Sequence, residues 1–124
     1  MNVVDSSGWL EYLANGEYAA FFAPAIRDSE RLIVPTICLY EAFKHISLQR
    51  GEDAALEAVG VLYSGEVADV SAQIALHAAQ LSPEHKLPMA DSLILAIARL
   101  HHAALWTQDG HFAGLAGVEY TEKR

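Results

Sequence analysis

The chain has 124 residues, a hydrophobic share of 52%, a formal net charge of −8 and a single cysteine, Cys38. Such a chain makes one domain with a hydrophobic core of its own, and the composition excludes a disordered protein, an internal disulfide and a cysteine-based zinc site. The surplus of acid leaves two kinds of substrate open: one that is not polyanionic, or a polyanion met by bound metal and a local basic patch. It also suits a basic protein partner.

Asn2 to Asp5 reads as a short strand, and Asp5-Ser6-Ser7 as the start of a helix from Gly8 to Ala14 that Asn15-Gly16 ends. Tyr18, Phe21, Phe22 and Ile26 have helical spacing within Glu17 to Asp28, with a kink expected at Pro24. Leu32 to Val34 is a second strand closed by Pro35, and Thr36 is placed to cap a long helix to Arg50. A helix from Glu52 to Tyr63 follows, then a turn at Ser64-Gly65 and a weak strand at Val67 to Val70. Ser71 caps a helix to Leu81, and Pro88 opens another that runs to His102. Ala104 to Thr107 is a fourth strand, Asp109 to Leu115 a short helical turn, and Val118 to Tyr120 a last strand. Strands alternating with helices predict a parallel sheet covered on both faces, with sites at the carboxyl ends of the strands.

The start, MNVVDSSGW, lacks the charged and apolar regions of a signal peptide. The longest apolar stretch, Leu93 to Leu100, is interrupted by Arg99 and too short to span a bilayer. With a lone cysteine as well, the expectation is a soluble, cytoplasmic protein with no membrane partner.

Four acids stand where strands end or near the starts of helices: Asp5, Glu41, Asp91 and Asp109. Asp5 reads equally as a helix cap, although Ser6 or Ser7 would serve that purpose too. Glu41 has Lys44 and His45 one turn on, yet its neighbours Tyr40, Ala42 and Phe43 suggest a helix buried over much of its circumference. Asp91 is the sharpest case, because its helix carries Ala90, Leu93, Ile94, Leu95, Ala96, Ile97, Ala98 and Leu100 and is apolar almost all round. A helix N-terminus stabilises an acid by about 0.3–1 kcal/mol, small against the several kcal/mol of desolvating an ion. No helical neighbour neutralises Asp91; a metal ion would. Asp109 precedes Gly110, an ordinary turn pair, and Thr107 two residues earlier points to the same strand end, where it can hold a carboxylate or a water.

Together, VVDSSGWLEYL, VPTICLYEAFK, LPMADSLILAIAR and LWTQDGHF resemble, over essentially the full length, PIN-domain ribonucleases and in particular the VapC-type toxins of bacterial toxin–antitoxin pairs. The resemblance implies a single PIN domain over residues 1–124, a PIN-like three-layer α/β/α fold whose small parallel sheet is covered by helices on both faces. It implies that Asp5, Glu41, Asp91 and Asp109 hold Mg2+, with Mn2+ as a substitute, that Thr107 supports them, and that the chain is an endoribonuclease hydrolysing RNA phosphodiester bonds. A homodimer is implied too, as is a cognate antitoxin whose C-terminal segment covers the pocket. The residue chemistry agrees: magnesium is held by a few carboxylates and keeps several waters, and such an ion activates a water and steadies the leaving oxygen. One position departs from the pattern. A further acid often stands two residues after the one matching Asp109, where this chain has His111. One ion is therefore expected, with a second recruited alongside RNA, and His111 reads either as a phosphate contact or as a surface histidine in a turn.

Two other readings compete. Phosphotransfer through Asp5 would need a second aspartate two residues on, where Ser7 stands. A non-catalytic PIN-like module binding a basic peptide or RNA suits the acidic balance, but four uncompensated carboxylates destabilise a pocket that nothing uses. His77 and His101-His102 form no zinc pattern and read as solvated or capping groups. Trp9 and Trp106 read as core or interface residues, Tyr18, Phe21 and Phe22 as internal packing or a partner groove. Lys44, Arg50, Lys86 and Arg99 are too scattered to make a basic patch.

Overall fold

Val3 and Val4 are neighbours on the first strand, and neither is exposed at all. Successive strand residues point to opposite faces, so both faces of this sheet are covered, as in parallel sheets generally. Leu32, Ile33 and Val34 on the next strand are buried in the same unbroken run. A computed structural model describes residues 1–123. Among them five parallel strands, β1 (Asn2–Val4), β2 (Leu32–Pro35), β3 (Glu66–Ala68), β4 (Ala104–Thr107) and β5 (Val118–Tyr120), form one sheet in the order β3-β2-β1-β4-β5. The helices are α1 (Ser6–Leu13), α2 (Ala19–Arg27), α3 (Thr36–Arg50), α4 (Glu52–Leu62), α5 (Ala72–His85) and α6 (Met89–Leu100). The architecture is a three-layer α/β/α fold, and the expectation of a covered parallel sheet holds.

The chain runs outward from β1 through β2 to β3, then returns so that β4 lies on the other side of β1. That reversal makes the carboxyl ends of β1 and β4 the switch point, where an open α/β sheet leaves a crevice. The register Val4↔Trp106 and the bond from Asp5 N to Trp106 O at 3.1 Å bring Asp5 level with the end of β4. Trp9, Phe22, Ile94, Ile97, Leu105 and Phe112 fill the core around this edge without exposure.

Local details differ from the sequence expectations for identifiable reasons. Asp5 itself is the N-cap of α1, accepting a hydrogen bond from Gly8 N, so the helix begins at Ser6 and not at Gly8. Thr36 is not a cap: it is already helical, and Pro35 precedes it with no side-chain cap bond. The α5 helix continues past Leu81 through Pro83, although a proline at that position cannot donate to the carbonyl of Ala79. Lys86 closes it in the left-handed region with its N–H on Ser82 O. Only Cys38 and Ala42 of α3 are buried, so the helix of Glu41 is not enclosed over most of its circumference; Tyr40 is exposed and lies under Lys44 Nζ at 5.7 Å. Phe21 and Phe22 pack inward, Phe21 against Trp106 with ring centroids 5.3 Å apart. No helix among the described residues is long and apolar enough to cross a membrane.

Candidate active site

Asp5 leaves the end of β1 with an extended backbone (φ −73°, ψ 174°) and is only 2% exposed. Its Oδ1 accepts from Gly8 N at 2.9 Å and from Ser7 Oγ at 2.8 Å, while Oδ2 accepts from Thr107 Oγ1 at 2.6 Å. Thr107 is the last residue of β4 and fully buried. Its hydroxyl therefore ties the ends of β1 and β4 together, and the carboxylate it holds is that of Asp5. Burial pushes the Asp5 carboxyl up to about 6; the bonds from Thr107, Gly8 and Ser7 hold it down, and the charge of Asp109 adds to the rise.

Asp91 lies in the first turn of α6 with its side chain 16% exposed. Burial raises its carboxyl to about 7, reinforced by the charge of Asp109, by a hydrogen bond shared with Asp109 and by Asp5, and opposed by His111. The Asp91 and Asp109 carboxyls thus lie together at one site, where the charge of Asp109 disfavours ionisation of Asp91. Asp109 accepts from His111 N at 2.9 Å, and its own N–H donates to Thr107 Oγ1 at 2.9 Å. It begins a short 3-10 turn over Gly110–Phe112, anchored by the buried ring of Phe112.

A nitrogen partner for Asp91, absent from its own helix, comes from that turn. His111 Nδ1 lies 3.2 Å from Asp91 Oδ2 and 3.0 Å from Asp109 Oδ1, although the side chain is 54% exposed. His111 is therefore not a detached surface histidine. One donor atom each from Asp91, Asp109 and His111 lies within 4.8 Å of the other two, a set able to hold a metal ion.

Asp5 and Glu41 stand outside that tight set. Glu41 is half-buried and receives Ser6 Oγ on its Oε1 at 2.6 Å. Ser6 Oγ also lies 3.7 Å from Cys38 Sγ. Burial drives the Cys38 thiol far above its ordinary range; Ser6 opposes this, and the charges of Asp5, Glu41 and Asp91 add to it. Burial and these charges thus keep the thiol protonated. Ser6, Ser7 and Cys38 belong to this edge but were legible in sequence only as capping or core residues. Gln108 is a further addition: buried between Thr107 and Asp109, its Nε2 donates to Ser7 O at 3.2 Å while Oε1 has no partner. A cavity of about 260 Å³ lined by Leu10, Leu13, Ile46, Ala58 and Val61 contains none of the acids.

With this edge described, the sequence match carries weight: it covers residues 3–118. The chain belongs to the PIN domain family. No curated protein matches it closely enough to serve as a relative. Among solved structures, this PIN domain is similar to a toxin–antitoxin complex from Klebsiella pneumoniae, at 26% identity and a TM-score of 0.78, with 96% of each chain covered. It is also similar to VapC20 of Mycobacterium tuberculosis, a toxin that cleaves the sarcin–ricin loop, at 19% identity and a TM-score of 0.77, covering 95% of this chain and 98% of that one. DNA-bound VapBC from Salmonella typhimurium matches at 19% identity and a TM-score of 0.74 over 98% of both chains. At identities of 19% the likeness concerns the fold; the site of this PIN domain rests on its own residues.

Proposed function

We propose that this chain is a divalent-cation-dependent endoribonuclease, the toxin of a toxin–antitoxin pair, and that Asp5, Glu41, Asp91 and Asp109, with Thr107, form its active site. The observation that carries this reading is the convergence of Asp91, Asp109 and Asp5 at the β1/β4 switch point, where burial first and the neighbouring acids second raise the Asp5 and Asp91 carboxyls. Acids so placed repel one another unless a cation sits among them, and the donors are hard oxygens apart from one imidazole. The residues therefore fit Mg2+ or Mn2+, held in this reading by Asp91 and Asp109, with Asp5 and Glu41 contributing directly or through water. When bound, the ion supplies an activated water and charge stabilisation at the scissile phosphate.

The protein's own groups perform the rest. Thr107 and the first turn of α1 fix Asp5 through three donors, so its carboxylate is oriented before any substrate arrives. Ser6 donates to Glu41 Oε1 at 2.6 Å and so orients the fourth acid of the proposed site. The net charge of −8 opposes RNA, and the cation offsets that repulsion where the phosphate must lie. A cognate antitoxin, a homodimer and a cytoplasmic location complete the proposal; the toxin–antitoxin complexes among the similar structures support the first.

The acidic surface favours a second reading, a non-catalytic module that binds a basic peptide. Incubation of the purified protein with structured RNA separates the two. Cleavage is expected with Mg2+ or Mn2+ and not with chelator, and Asp91→Asn is expected to reduce it at least about a hundredfold. Undiminished cleavage in chelator, or by the Asp91→Asn protein, would remove the proposal.

A further inference from the structure

One member of the crowded group is not an acid. The His111 ring stands 3.0 and 3.2 Å from oxygens of Asp109 and Asp91. Two adjacent donors around an octahedral ion with bonds of about 2.1 Å are about 3 Å apart. The imidazole nitrogen therefore already occupies the spacing of a ligand beside each carboxylate. Its backbone is tied down as well: His111 N donates to Asp109 Oδ1 at 2.9 Å, Asp109 N to Thr107 Oγ1 at 2.9 Å, and the next residue, Phe112, is buried. The position of the ring follows from the same turn that places Asp109.

Resting on the reading of this edge as a cation-dependent nuclease site, we infer that His111 Nδ1 is itself a ligand of the cation, and that this makes the site select a first-row transition-metal dication over Mg2+. The charges support the assignment. With Asp5, Glu41, Asp91 and Asp109 already at this edge, a neutral imidazole at position 111 adds no further negative charge, whereas an acid there would. The chemistry supplies the selectivity: imidazole is a favourable donor to first-row transition ions, while Mg2+ prefers oxygen donors and its own waters. With Nδ1 turned to the carboxylates, Nε2–H lies on the half-exposed side of the ring, where water serves as the outer partner that a ligating histidine needs.

Mn2+ is the suitable probe because it is paramagnetic and close to Mg2+ in coordination habit. Metal-free protein loaded with Mn2+ is expected to show nitrogen-14 modulation in pulsed electron paramagnetic resonance. That modulation is expected to vanish in His111→Asp while Mn2+ binding persists, and Mg2+ is expected to displace Mn2+ from His111→Asp at a roughly tenfold lower concentration than from the unaltered protein. Bound Mn2+ without nitrogen modulation, or modulation unchanged in His111→Asp, would overturn the inference and leave the cation-dependent reading standing. A protein that binds no Mn2+ at all would overturn both.

Discussion

Asp5 has two functions that pull in opposite directions. It caps α1, and its carboxylate is buried among other acids. The cap and the bonds from Ser7 and Thr107 stabilise the ion, while burial and Asp109 destabilise it, and the outcome is a carboxyl raised to about 6. Thr107 is the lever that favours ionisation most, so Thr107→Val is expected to lower cleavage about tenfold or more while Thr107→Ser retains it; equal activity in the two variants, read as kcat on one RNA, would count against that role. Asp91 gives a pH dependence with a definite sign. Its folded carboxyl titrates near 7 against an ordinary value of 3.8, so the folded state prefers the protonated form. The resulting stabilisation is present below about pH 4 and lost as pH rises through about 7. Asp91→Asn is thus expected to stabilise the metal-free protein by about 1–2 kcal/mol at pH 8 and to change little at pH 4, as read by urea unfolding at both pH values. The same gain at both would show that the crowding of Asp91 is not electrostatic.

At the scale of elements, α1 must approach α2 and β1 closely for Asp5 to meet Thr107. A Cβ on Gly8 would fall 2.6 Å from Phe22 Cε1 and 2.7 Å from Val4 Cγ1, both in fully buried side chains. Gly8→Ala is therefore expected to destabilise the fold by about 1–3 kcal/mol and to disturb the Asp5 cap, measurable as a lower melting temperature together with reduced cleavage. An unchanged melting temperature would contradict the close packing. Much at this scale was legible in the sequence. Five strands and the helices between them follow from alternating apolar runs and from turn residues such as Asn15-Gly16 and Ser64-Gly65, because these signals are local. The ends were less legible: α5 outruns Leu81 through Pro83 to His85 and is closed only by Lys86 in the left-handed region, a conformation that a lysine does not announce in sequence. The acids were legible as a set of candidates. Their connections were not, since Ser6 to Glu41 spans 35 residues and Thr107 to Asp5 spans 102. His111 shows the limit most clearly. In sequence it interrupts a pattern of acids, and only the fold brings it against Asp91, 20 positions earlier on another helix.

The whole molecule carries its acidity unevenly in consequence. A net charge of −8 disfavours polyanions over most of the surface, while the switch point between β1 and β4 gathers the acids that, in the proposed function, a cation would convert into a phosphate site. Leu48, Leu76 and Met89 are large apolar side chains left well exposed, one on each of α3, α5 and α6. Light scattering is expected to give twice the chain mass of 13.5 kDa for the purified protein, and a monomer at micromolar concentration would remove the homodimer from the account. The central claim is that this edge hydrolyses RNA. Its most direct test is expression of the chain alone in a bacterium followed by transcriptome-wide mapping of new RNA ends, with Asp5→Asn as the control because asparagine still caps α1. The account predicts new ends at a small number of sites that are absent with Asp5→Asn. No new ends, or the same ends with both proteins, would contradict it.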